Sequence, residues 1–404
     1  MIQEADAVVI GAGAFGASTA YHLAKRGQRV ALVDKFEIAS QTSPRAAGLT
    51  LQCRPDATMT RLAMRSVEKI VHFAEDTGVE LVSHQAGSLK LARTPEYAAQ
   101  IHVDVRRGQA LGLDISEVSA AEARSLAPFL EPDRALAIWY TASDLYLEPR
   151  DLPIGYARAA ESLGATLLPN TAVTAIRSTG GAIDGVVTTQ GEIRAPVVVD
   201  AAGAWTRVVA DMTGIRVPVV PTRHQLYITK PLAGVTSAQP IVRVLDVNVY
   251  VRPAGGGLML GGYEPDPVQV DGASLPADFQ MGDLALDFEP LRRLTEVVGD
   301  QFPQLVDAEI EEFRGGLPTM TADGRHVLDR VPGMAGFFVA SGCCVGGLSI
   351  SPAVGEVLAD WVVDGQPSLD LSSFRLTRFG PELESEERLR QECLWRYAHY
   401  YETD

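Results

Sequence analysis

The sequence has little of several features that mark common protein classes. Its 404 residues include four cysteines, Cys53, Cys343, Cys344 and Cys393, whose spacing matches no metal-binding motif. We therefore expect no metal site, and a reducing compartment is the simplest setting. No apolar run approaches the ~20 residues of a membrane span. The motifs G-x-S-x-G, H-E-x-x-H and the P-loop are missing, which leaves hydrolase, zinc protease and phosphoryl-transfer functions without support.

Positive charge is also scarce. The chain has 35 basic and 51 acidic residues and a formal charge of −16. This balance disfavours nucleic acid and anionic membrane surfaces as partners. The first apolar stretch, residues 7–10, is too short for a signal peptide and follows Glu4 and Asp6, so we predict a cytoplasmic protein. With 46% hydrophobic and 21% charged residues, the chain is an ordinary globular protein of two or three domains.

Segments near both ends of the chain have the sequence pattern of a nucleotide-binding α/β fold. Residues 5–10 predict a buried parallel strand, residues 14–26 a helix, and residues 28–33 a second strand. Near the other end, residues 336–340 predict another buried strand, followed by a glycine-rich loop and a helix over 353–363. The fold that begins the chain therefore resumes near its end.

The intervening sequence has a different character. Residues 217–262 contain alternating β-branched runs with proline and glycine, which are typical of an antiparallel sheet. Gly255, Gly256 and Gly257 predict a hairpin within it. Residues 381–404 are first charged and then aromatic, and we expect a helix that lies on the surface or on a partner. Two interleaved domains fit this order better than two consecutive ones.

A glycine-rich turn follows the first predicted strand. Gly11, Gly13 and Gly16 form the G-x-G-x-x-G pattern between a strand and a helix. Gly11 permits the tight turn, Gly13 lets a diphosphate approach the backbone, and Gly16 lets the helix pack on the strand. Asp34 ends the second strand, where a carboxylate can accept the hydroxyls of a ribose. This arrangement predicts a dinucleotide site and disfavours NADP, whose 2′-phosphate an acid repels.

A second glycine-rich turn lies near the C-terminus. Gly346 and Gly347 precede Ser351 and Pro352, which we interpret as the N-cap and first residue of the following helix. A helix N-terminus favours negative charge, and reduced flavin carries negative charge near N1 and the C2 carbonyl. The second turn therefore favours a flavin dinucleotide over NAD.

At this point the chain resembles a known family. The first glycine turn, the segment 197–205 and the segment 336–362 are similar to those of the FAD-dependent D-amino-acid oxidase superfamily, most of all its sarcosine oxidase and dimethylglycine dehydrogenase–oxidase branch. The resemblance extends to about residue 371. It implies FAD in an extended conformation, oxidation of a C–N bond of a secondary or tertiary amino acid to an imine, and hydride transfer to flavin N5, with later hydrolysis of the imine.

The resemblance also implies a fold. We expect an α/β protein with an FAD-binding Rossmann-like domain of the glutathione-reductase type, interleaved with an antiparallel β-sheet substrate domain. The predicted FAD-binding domain comprises residues 1–82, 140–216 and 319–371. The predicted substrate domain comprises residues 83–139 and 217–318, and residues 372–404 form a C-terminal tail with a helix.

The cofactor residues follow from matching this sequence to the family pattern, position by position. Beyond the glycines and Asp34, the match implies that FAD contacts Lys35 near the adenosine, the loop residues Ser43, Arg45, Ala46 and Gly48, the adenine-side Val173, the small residues Ala202 and Gly203, and the flavin-side residues Gly346, Gly347, Leu348 and Ser349.

Two departures from the family pattern matter. Arg45 stands where dimethylglycine dehydrogenases carry a histidine bonded to FAD, and Gly316 stands where monomeric sarcosine oxidases carry a cysteine bonded to FAD. We therefore predict non-covalent FAD. Ser349 replaces a lysine that helps to hold the substrate carboxylate in sarcosine oxidases, which argues against a plain sarcosine specificity.

The candidate catalytic residues are Arg54, His224 and Tyr250. Arg54 matches the family's carboxylate-binding arginine, and a guanidinium suits a planar carboxylate. His224 and Tyr250 resemble the active-site histidine and tyrosine of dimethylglycine oxidase, and we expect them to handle protons and place the substrate. Tyr263 and Trp139 are weaker candidates.

Other residues carry weaker expectations. For Arg314, a place near the flavin and a structural ion pair are equally compatible with the sequence. His22 on the first helix is expected to pack, and His326 to lie in a surface turn.

Alternatives stay open at the level of sequence. The same fold can oxidise a 2-hydroxy acid, or the chain can be the flavin-carrying β subunit of a multi-subunit amino-acid dehydrogenase. In the second case the aromatic segment 395–401 would be a docking element. A non-catalytic FAD-binding module is a third alternative. The expected partners are a small amino-acid-like substrate and either a partner subunit or an electron acceptor protein; oxygen and quinone are alternative acceptors.

Overall fold

The computed structural model describes residues 3–402. A six-stranded sheet forms its dinucleotide-binding part, and the strand Ala7–Ile10 lies parallel to both of its neighbours. Across this sheet the strands run in the order Val327–Arg330, Phe337–Ser341, Val198–Asp200, Ala7–Ile10, Val30–Val33 and Thr166–Leu168.

The six-stranded sheet is covered on both faces, which explains its unbroken apolar strands. Alternate residues of Ala7–Ile10 belong to two different core clusters, one on each face. On one face the helix Ala14–Lys25 packs between the helices Asp151–Ser162 and Gly347–Asp364. The first and last parts of the dinucleotide-binding fold therefore share one core.

An eight-stranded sheet forms the second large layer, with the predicted hairpin at its centre. Its order is Ile310–Gly316, His224–Thr229, Gly257–Gly262, Val249–Ala254, Ile241–Val244, Ser88–Ala92, Ala137–Thr141 and Ile115–Glu117. Neighbouring strands are antiparallel except for the parallel pair Ile241–Val244 and Ser88–Ala92. The strands of one continuous sheet thus come from two separate regions of the sequence.

The central strands of the eight-stranded sheet alternate between apolar and polar residues. Leu89, Leu91, Val242 and Val244 pack into one apolar cluster. Because successive side chains point to opposite faces, the residues between them face the other side of the sheet. That second face borders the candidate site.

Smaller sheets and the remaining helices complete the fold. The small sheets consist of Val173–Thr179, Ala182–Thr188 and Gly191–Arg194; of Leu49–Thr50, Leu145–Leu147 and Ser83–His84; and of Val220–Pro221 and Thr319–Met320. The other helices are Ala57–Val71, Phe73–Thr77, Pro95–Ala110, Ala120–Leu126, Thr206–Asp211, Phe288–Val297, Pro303–Val306 and Glu386–Ala398. Within residues 3–402, no helix combines the length and apolar character needed to cross a membrane.

The predicted start of the helix after the second glycine turn is wrong. The helix begins at Gly347, with Gly346 as its N-cap, and Pro352 lies inside it. Proline has no N–H to donate to the carbonyl four residues earlier. Here the Ser351 hydroxyl donates to the Leu348 carbonyl at 2.9 Å, so this acceptor is satisfied. Ser351 therefore serves within the helix and does not cap it.

Two further predictions are corrected. His326 is buried, with 2% of its surface exposed, because it directly precedes the core strand Val327–Arg330 and packs between Phe15 and Phe374. The C-terminal helix does not merely rest on the surface. Its residues Leu389 and Cys393 are fully buried in a cluster with core residues of the chain.

The predicted fold class is confirmed, because a mostly parallel six-stranded sheet and a mostly antiparallel eight-stranded sheet are both present. The exact domain boundaries stay a prediction. What matters for the site is that both glycine-rich turns and one face of the eight-stranded sheet border the same space.

Candidate active site

Two adjoining cavities contain nearly all of the predicted cofactor residues. We call them the outer cavity, about 330 Å³, and the inner cavity, about 170 Å³. The outer cavity is lined by Gly11, Gly13, Asp34, Lys35, Ser43, Val173, Ala202 and Gly203. The inner cavity is lined by Gly13, Ser43, Arg45, Ala46, Gly48, Gly203, Gly346, Gly347, Leu348 and Ser349. The shared residues make one continuous groove from Asp34 to the second glycine turn.

The first glycine turn has the geometry that a bound diphosphate requires. Gly11 has a φ of 102°, and a Cβ there would lie 2.4 Å from the Ala201 carbonyl oxygen. Gly16 lines neither cavity, but a Cβ there would lie 1.7 Å from the Gly11 carbonyl oxygen. The N-cap of the following helix is Gly13, which has no side chain. The Ala14 N–H donates to the Ser43 hydroxyl at 3.0 Å, and an anion can approach the neighbouring backbone N–H groups of the turn.

Asp34 is fixed at the far end of the outer cavity. Its carboxylate accepts hydrogen bonds from the backbone N–H of Ala12 at 2.6 Å and of Phe36 at 2.8 Å. Burial raises the pKa of Asp34 to about 6, against the opposing effect of these two N–H groups. Nearby, the Lys35 ammonium lies 5.0 Å from the Phe36 ring centroid and 5.7 Å from that of Trp205.

The predicted covalent-anchor positions carry no nucleophile. The Arg45 guanidinium donates to the carbonyl oxygen of Ser40 at 2.6 Å and also to that of Gln41. Gly316 lines the inner cavity against Thr42. Cys343 also lines the inner cavity, and burial raises the pKa of its thiol, so it stays a protonated, poor nucleophile.

Arg54 lies in the inner cavity beside the second glycine turn. Its Nη2 donates to Ser349 Oγ at 2.6 Å, while its Nε has no hydrogen-bond partner among residues 3–402. A Cβ at Gly346 would lie 3.4 Å from Nη2, so the absence of a side chain there leaves room for the guanidinium. The serine that departs from the family pattern thus holds the predicted carboxylate ligand.

His224 and Tyr250 both line the inner cavity and are in direct contact. His224 Nε2 lies 2.8 Å from the Tyr250 hydroxyl, and Nδ1 lies 2.7 Å from the Tyr397 hydroxyl. Burial lowers the pKa of His224 to about 3, so the imidazole is neutral. A neutral imidazole has one donor and one acceptor nitrogen, and the two hydroxyls occupy both.

Tyrosine side chains form one wall of the inner cavity. Tyr263 stacks on Tyr400 with centroids 3.9 Å apart and an interplanar angle of 9°, and Tyr401 meets Tyr263 edge to face at 5.6 Å. Both C-terminal tyrosines line the cavity together with Tyr250. The weak candidate Tyr263 is thus at the site. Sequence reasoning missed the other two, since no local pattern links residues 400–401 to strands so distant along the chain.

Arg243 and Lys90 also border the site, and sequence reasoning missed them. Arg243 lines the inner cavity, with 4% of its surface exposed, and Lys90 lies beside it with 5% exposed. The sequence does contain a signal for both residues. Each is a cation flanked by apolar residues in an alternating strand, Leu-Lys-Leu and Val-Arg-Val.

The remaining weak candidates lie outside the inner cavity. Trp139 packs in a small apolar cluster. Arg314 pairs with Glu148 at 2.9 Å and with Glu312 at 2.5 Å, which is the structural alternative.

Comparison with known proteins decides the family. The family model for the DAO group, described as FAD dependent oxidoreductase, matches residues 6–361. The chain belongs to this family of FAD-dependent oxidoreductases. The predicted family and the predicted cofactor, FAD, are confirmed. The glycine turns, the helix N-terminus at Gly13 and the carboxyl group of Asp34 fit FAD.

Individual members of the family are similar over most of this chain. Human mitochondrial sarcosine dehydrogenase is 30% identical over 98% of this chain and 44% of its own length. Rat mitochondrial dimethylglycine dehydrogenase is 30% identical over 93% of this chain and 45% of its own length. The chain thus spans less than half the length of these two relatives. The crystal structure of L-proline dehydrogenase from P. horikoshii has a TM-score of 0.85 and 26% identity, covering 94% of this chain and 98% of that one.

Proposed function

We propose that this DAO-family chain oxidises the carbon–nitrogen bond of a secondary or tertiary amino acid, of the N-methyl amino acid type, to an imine that water hydrolyses. The proposal rests on one observation: Arg54, whose Nε has no hydrogen-bond partner within residues 3–402, lies in one cavity with a tyrosine wall beside the second glycine turn. Two of the relatives are named for sarcosine and dimethylglycine, which are amino acids of this type. FAD, when bound, supplies the acceptor for the hydride.

Arg54 has the charge and position to hold the substrate carboxylate. A guanidinium binds a carboxylate through two parallel hydrogen bonds, and one Arg54 nitrogen is already fixed by Ser349. Because Arg54 lies against Gly346, a carboxylate bound there is placed next to the flavin-side loop. The α-carbon bears that carboxylate, and both the α-carbon and an N-methyl carbon are bonded to the nitrogen that becomes part of the imine.

The charges around the inner cavity favour a neutral amine. Within the described residues 3–402, its lining includes Arg45, Arg54 and Arg243 but no aspartate or glutamate. Nearby positive charge lowers the pKa of an ammonium group. The substrate nitrogen therefore loses its proton on binding, and its lone pair becomes available to form the C=N bond as hydride leaves.

Tyr250 and the tyrosine wall orient the amine. The N-alkyl groups pack against the apolar ring faces of Tyr263 and Tyr401, while the Tyr250 hydroxyl can hydrogen-bond the substrate. His224 has both nitrogens engaged, so we assign it a positioning role: it holds Tyr250. We infer that FAD is held non-covalently, because Arg45 and Gly316 occupy the two anchor positions.

The test is anaerobic titration of the purified holoprotein with N-methyl amino acids, D-amino acids and 2-hydroxy acids, following loss of visible flavin absorbance. We expect bleaching by N-methyl amino acids. Arg54→Gln should lower the efficiency of this flavin reduction by about tenfold to a hundredfold, which is the effect expected from losing a charge-assisted hydrogen-bond pair. Arg61→Gln, on the exposed face of a nearby helix, is the matched control and should leave it unchanged.

Two results would overturn the proposal. Bleaching by a 2-hydroxy acid, with none by any amine, would favour an alcohol oxidase on the same fold. Stable flavin that no compound of the panel reduces would indicate a non-catalytic FAD-binding module.

A further inference from the structure

Three polar residues lie side by side on one face of the eight-stranded sheet. Arg243 is paired in register with Tyr250 on one neighbouring strand and with Lys90 on the other. Residues in register on adjacent strands point to the same face, with strands about 4.8 Å apart. The row therefore leads from Tyr250, in the inner cavity, through Arg243 to Lys90.

This row places two buried cations next to each other. Arg243 and Lys90 are 4% and 5% exposed. Nε and Nη2 of Arg243 have no hydrogen-bond partner in the described part of the chain, and Lys90 Nζ donates only to the Cys53 carbonyl oxygen, at 3.4 Å. Like charges directly opposite each other on a sheet are destabilising, and a buried charge without a counter-ion is costly. A structure that keeps both residues here calls for an anion between or beside them.

A third cavity, which we call the side chamber, lies at this point. Its volume is about 220 Å³, and its lining includes Lys90 as well as Arg54 and Arg243, which it shares with the inner cavity. The two cavities thus meet at the two guanidinium groups. An anionic group in the side chamber would be within reach of a substrate bound in the inner cavity.

The acids of the side chamber are already engaged elsewhere. Asp56 caps the helix that follows it, Asp104 pairs with Arg107 at 3.1 Å, and Asp323 pairs with Arg378 at 2.7 Å. The cations that border the inner cavity therefore lack a carboxylate partner within residues 3–402, although the whole chain carries a net charge of −16. Local positive charge in an acidic protein favours an anionic ligand.

We propose that the substrate carries a second carboxylate, which Arg243 and Lys90 bind at the junction with the side chamber while Arg54 holds the first. This inference rests on the proposed amine oxidation and names the substrate class: a secondary or tertiary amino acid with an acidic N-substituent or an acidic side chain. A monocarboxylate would neutralise one guanidinium and leave the other buried and unsatisfied. A dicarboxylate satisfies both.

Substrate comparison on the holoenzyme tests this directly. N-(carboxymethyl)glycine carries the second carboxylate on nitrogen, and N-methylaspartate carries it on the side chain; sarcosine and N-methylalanine are the matched monocarboxylates. We expect kcat/KM for the better dicarboxylate to exceed that of its monocarboxylate partner by about tenfold or more. The two dicarboxylates distinguish an N-substituent from a side chain as the source of the second charge.

Variants identify the residues responsible. Arg243→Gln should lower kcat/KM for the preferred dicarboxylate by about tenfold more than it lowers kcat/KM for the matched monocarboxylate, and Lys90→Gln should act in the same direction. Arg134→Gln, which removes an exposed cation paired with Asp300, is the control and should change neither. FAD absorbance and thermal unfolding report whether each variant folds.

A binding measurement separates recognition from turnover. Glutarate, an unreactive dicarboxylate, should raise the Tm of the holoenzyme more than butyrate does, and Arg243→Gln should abolish the difference. Oxidation of monocarboxylates with no preference for dicarboxylates, or a preference that survives in Arg243→Gln, would overturn this inference while leaving the proposed function intact. Failure of every amine to bleach the flavin would instead overturn the proposed function.

Discussion

The Nε2 atom of His224 lies 2.8 Å from the Tyr250 hydroxyl, and both residues are buried at the edge of the inner cavity. The other ring nitrogen, Nδ1, lies 2.7 Å from the hydroxyl of a second tyrosine, Tyr397. The imidazole is therefore fixed in orientation from both sides. This triad connects a strand of the eight-stranded sheet to the C-terminal helix, and it gives Tyr250 one defined hydroxyl direction.

Removing the Tyr250 hydroxyl tests the triad. Tyr250→Phe leaves one His224 nitrogen buried without a partner and removes a polar group from the cavity, so we expect kcat/KM to fall about tenfold to a hundredfold with FAD still bound. Tyr227→Phe is the matched control: that hydroxyl bonds Thr295 on the opposite side of the sheet. Equal activity losses in the two variants would contradict a specific role for Tyr250. Anaerobic flavin reduction is the measurement.

The pH dependence of catalysis tests the assignment of His224 as a positioning residue. Burial lowers the pKa of His224 to about 3, so its imidazole is neutral throughout the range from pH 5 to pH 9. We expect His224→Gln to lower the rate of flavin reduction without moving the apparent pKa values of the kcat/KM profile. An acidic limb with a midpoint of about 6.5, the ordinary value for histidine, that disappears in His224→Gln would show instead that the imidazole titrates.

The affinity for FAD should depend on Asp34. Burial raises the pKa of this carboxyl group to about 6 in the protein without FAD, so it is ionised above pH 6 and protonated below. Ribose hydroxyls donate more strongly to the ionised form, and we expect the Kd for FAD to increase as the pH falls from 7 to 5. Asp34→Asn should bind FAD more weakly and without this dependence. Flavin fluorescence quenching measures both, and an identical pH slope in wild type and variant would refute the assignment.

The C-terminal tyrosines should affect substrate binding more than folding. Tyr400→Ala removes the ring that stacks on Tyr263 and widens the inner cavity, so we expect KM for the amine to rise severalfold with an unchanged Kd for FAD. Trp395→Ala is the control, because this side chain is 44% exposed. If Trp395→Ala raised KM more than Tyr400→Ala did, the functional role of the tail would lie on its outer surface, as expected for a docking element.

Gly16 should resist substitution although it lies in a helix. Alanine usually stabilises a helix relative to glycine by about 1 kcal/mol. At this position a Cβ would overlap the Gly11 carbonyl oxygen, at 1.7 Å, so we expect Gly16→Ala to cost about 2–3 kcal/mol and to weaken FAD binding. Gly27 lies two residues after the same helix with no atom within 4 Å of an added Cβ, but its φ of 79° disfavours alanine. Gly27→Ala should therefore lose stability as well, yet leave FAD affinity unchanged, so FAD titration distinguishes the two variants.

The sequence predicted well those features that depend on short segments. The unbroken strand Ala7–Ile10, the glycine turn after it and the acid at residue 34 are local patterns, and their structural meaning follows from backbone sterics and burial. The hairpin at Gly255 and Gly256 is local in the same sense. Both glycines have positive φ values, which the turn requires.

The sequence predicted less well the features that depend on long-range contacts. Nothing near Tyr400 indicates that it stacks on Tyr263, and nothing near His326 indicates that two phenylalanines enclose it. The sequence pattern predicts too late a start for the helix that begins at Gly347, because proline is common at the first position of a helix. The structure tolerates Pro352 inside the helix through one serine hydroxyl, a compensation that no propensity scale includes.

The stacking of Tyr400 on Tyr263 has an implication for how such proteins diversify. The glycine turns and the C-terminal tyrosines that line the inner cavity lie on separate stretches of polypeptide. Exchanging Tyr400 or Tyr401, in the turn after the final helix, would alter the size and chemistry of the inner cavity while the sheets and glycine turns remain as they are. A new ligand preference can thus arise at low cost to foldability, by changes confined to one short part of the gene.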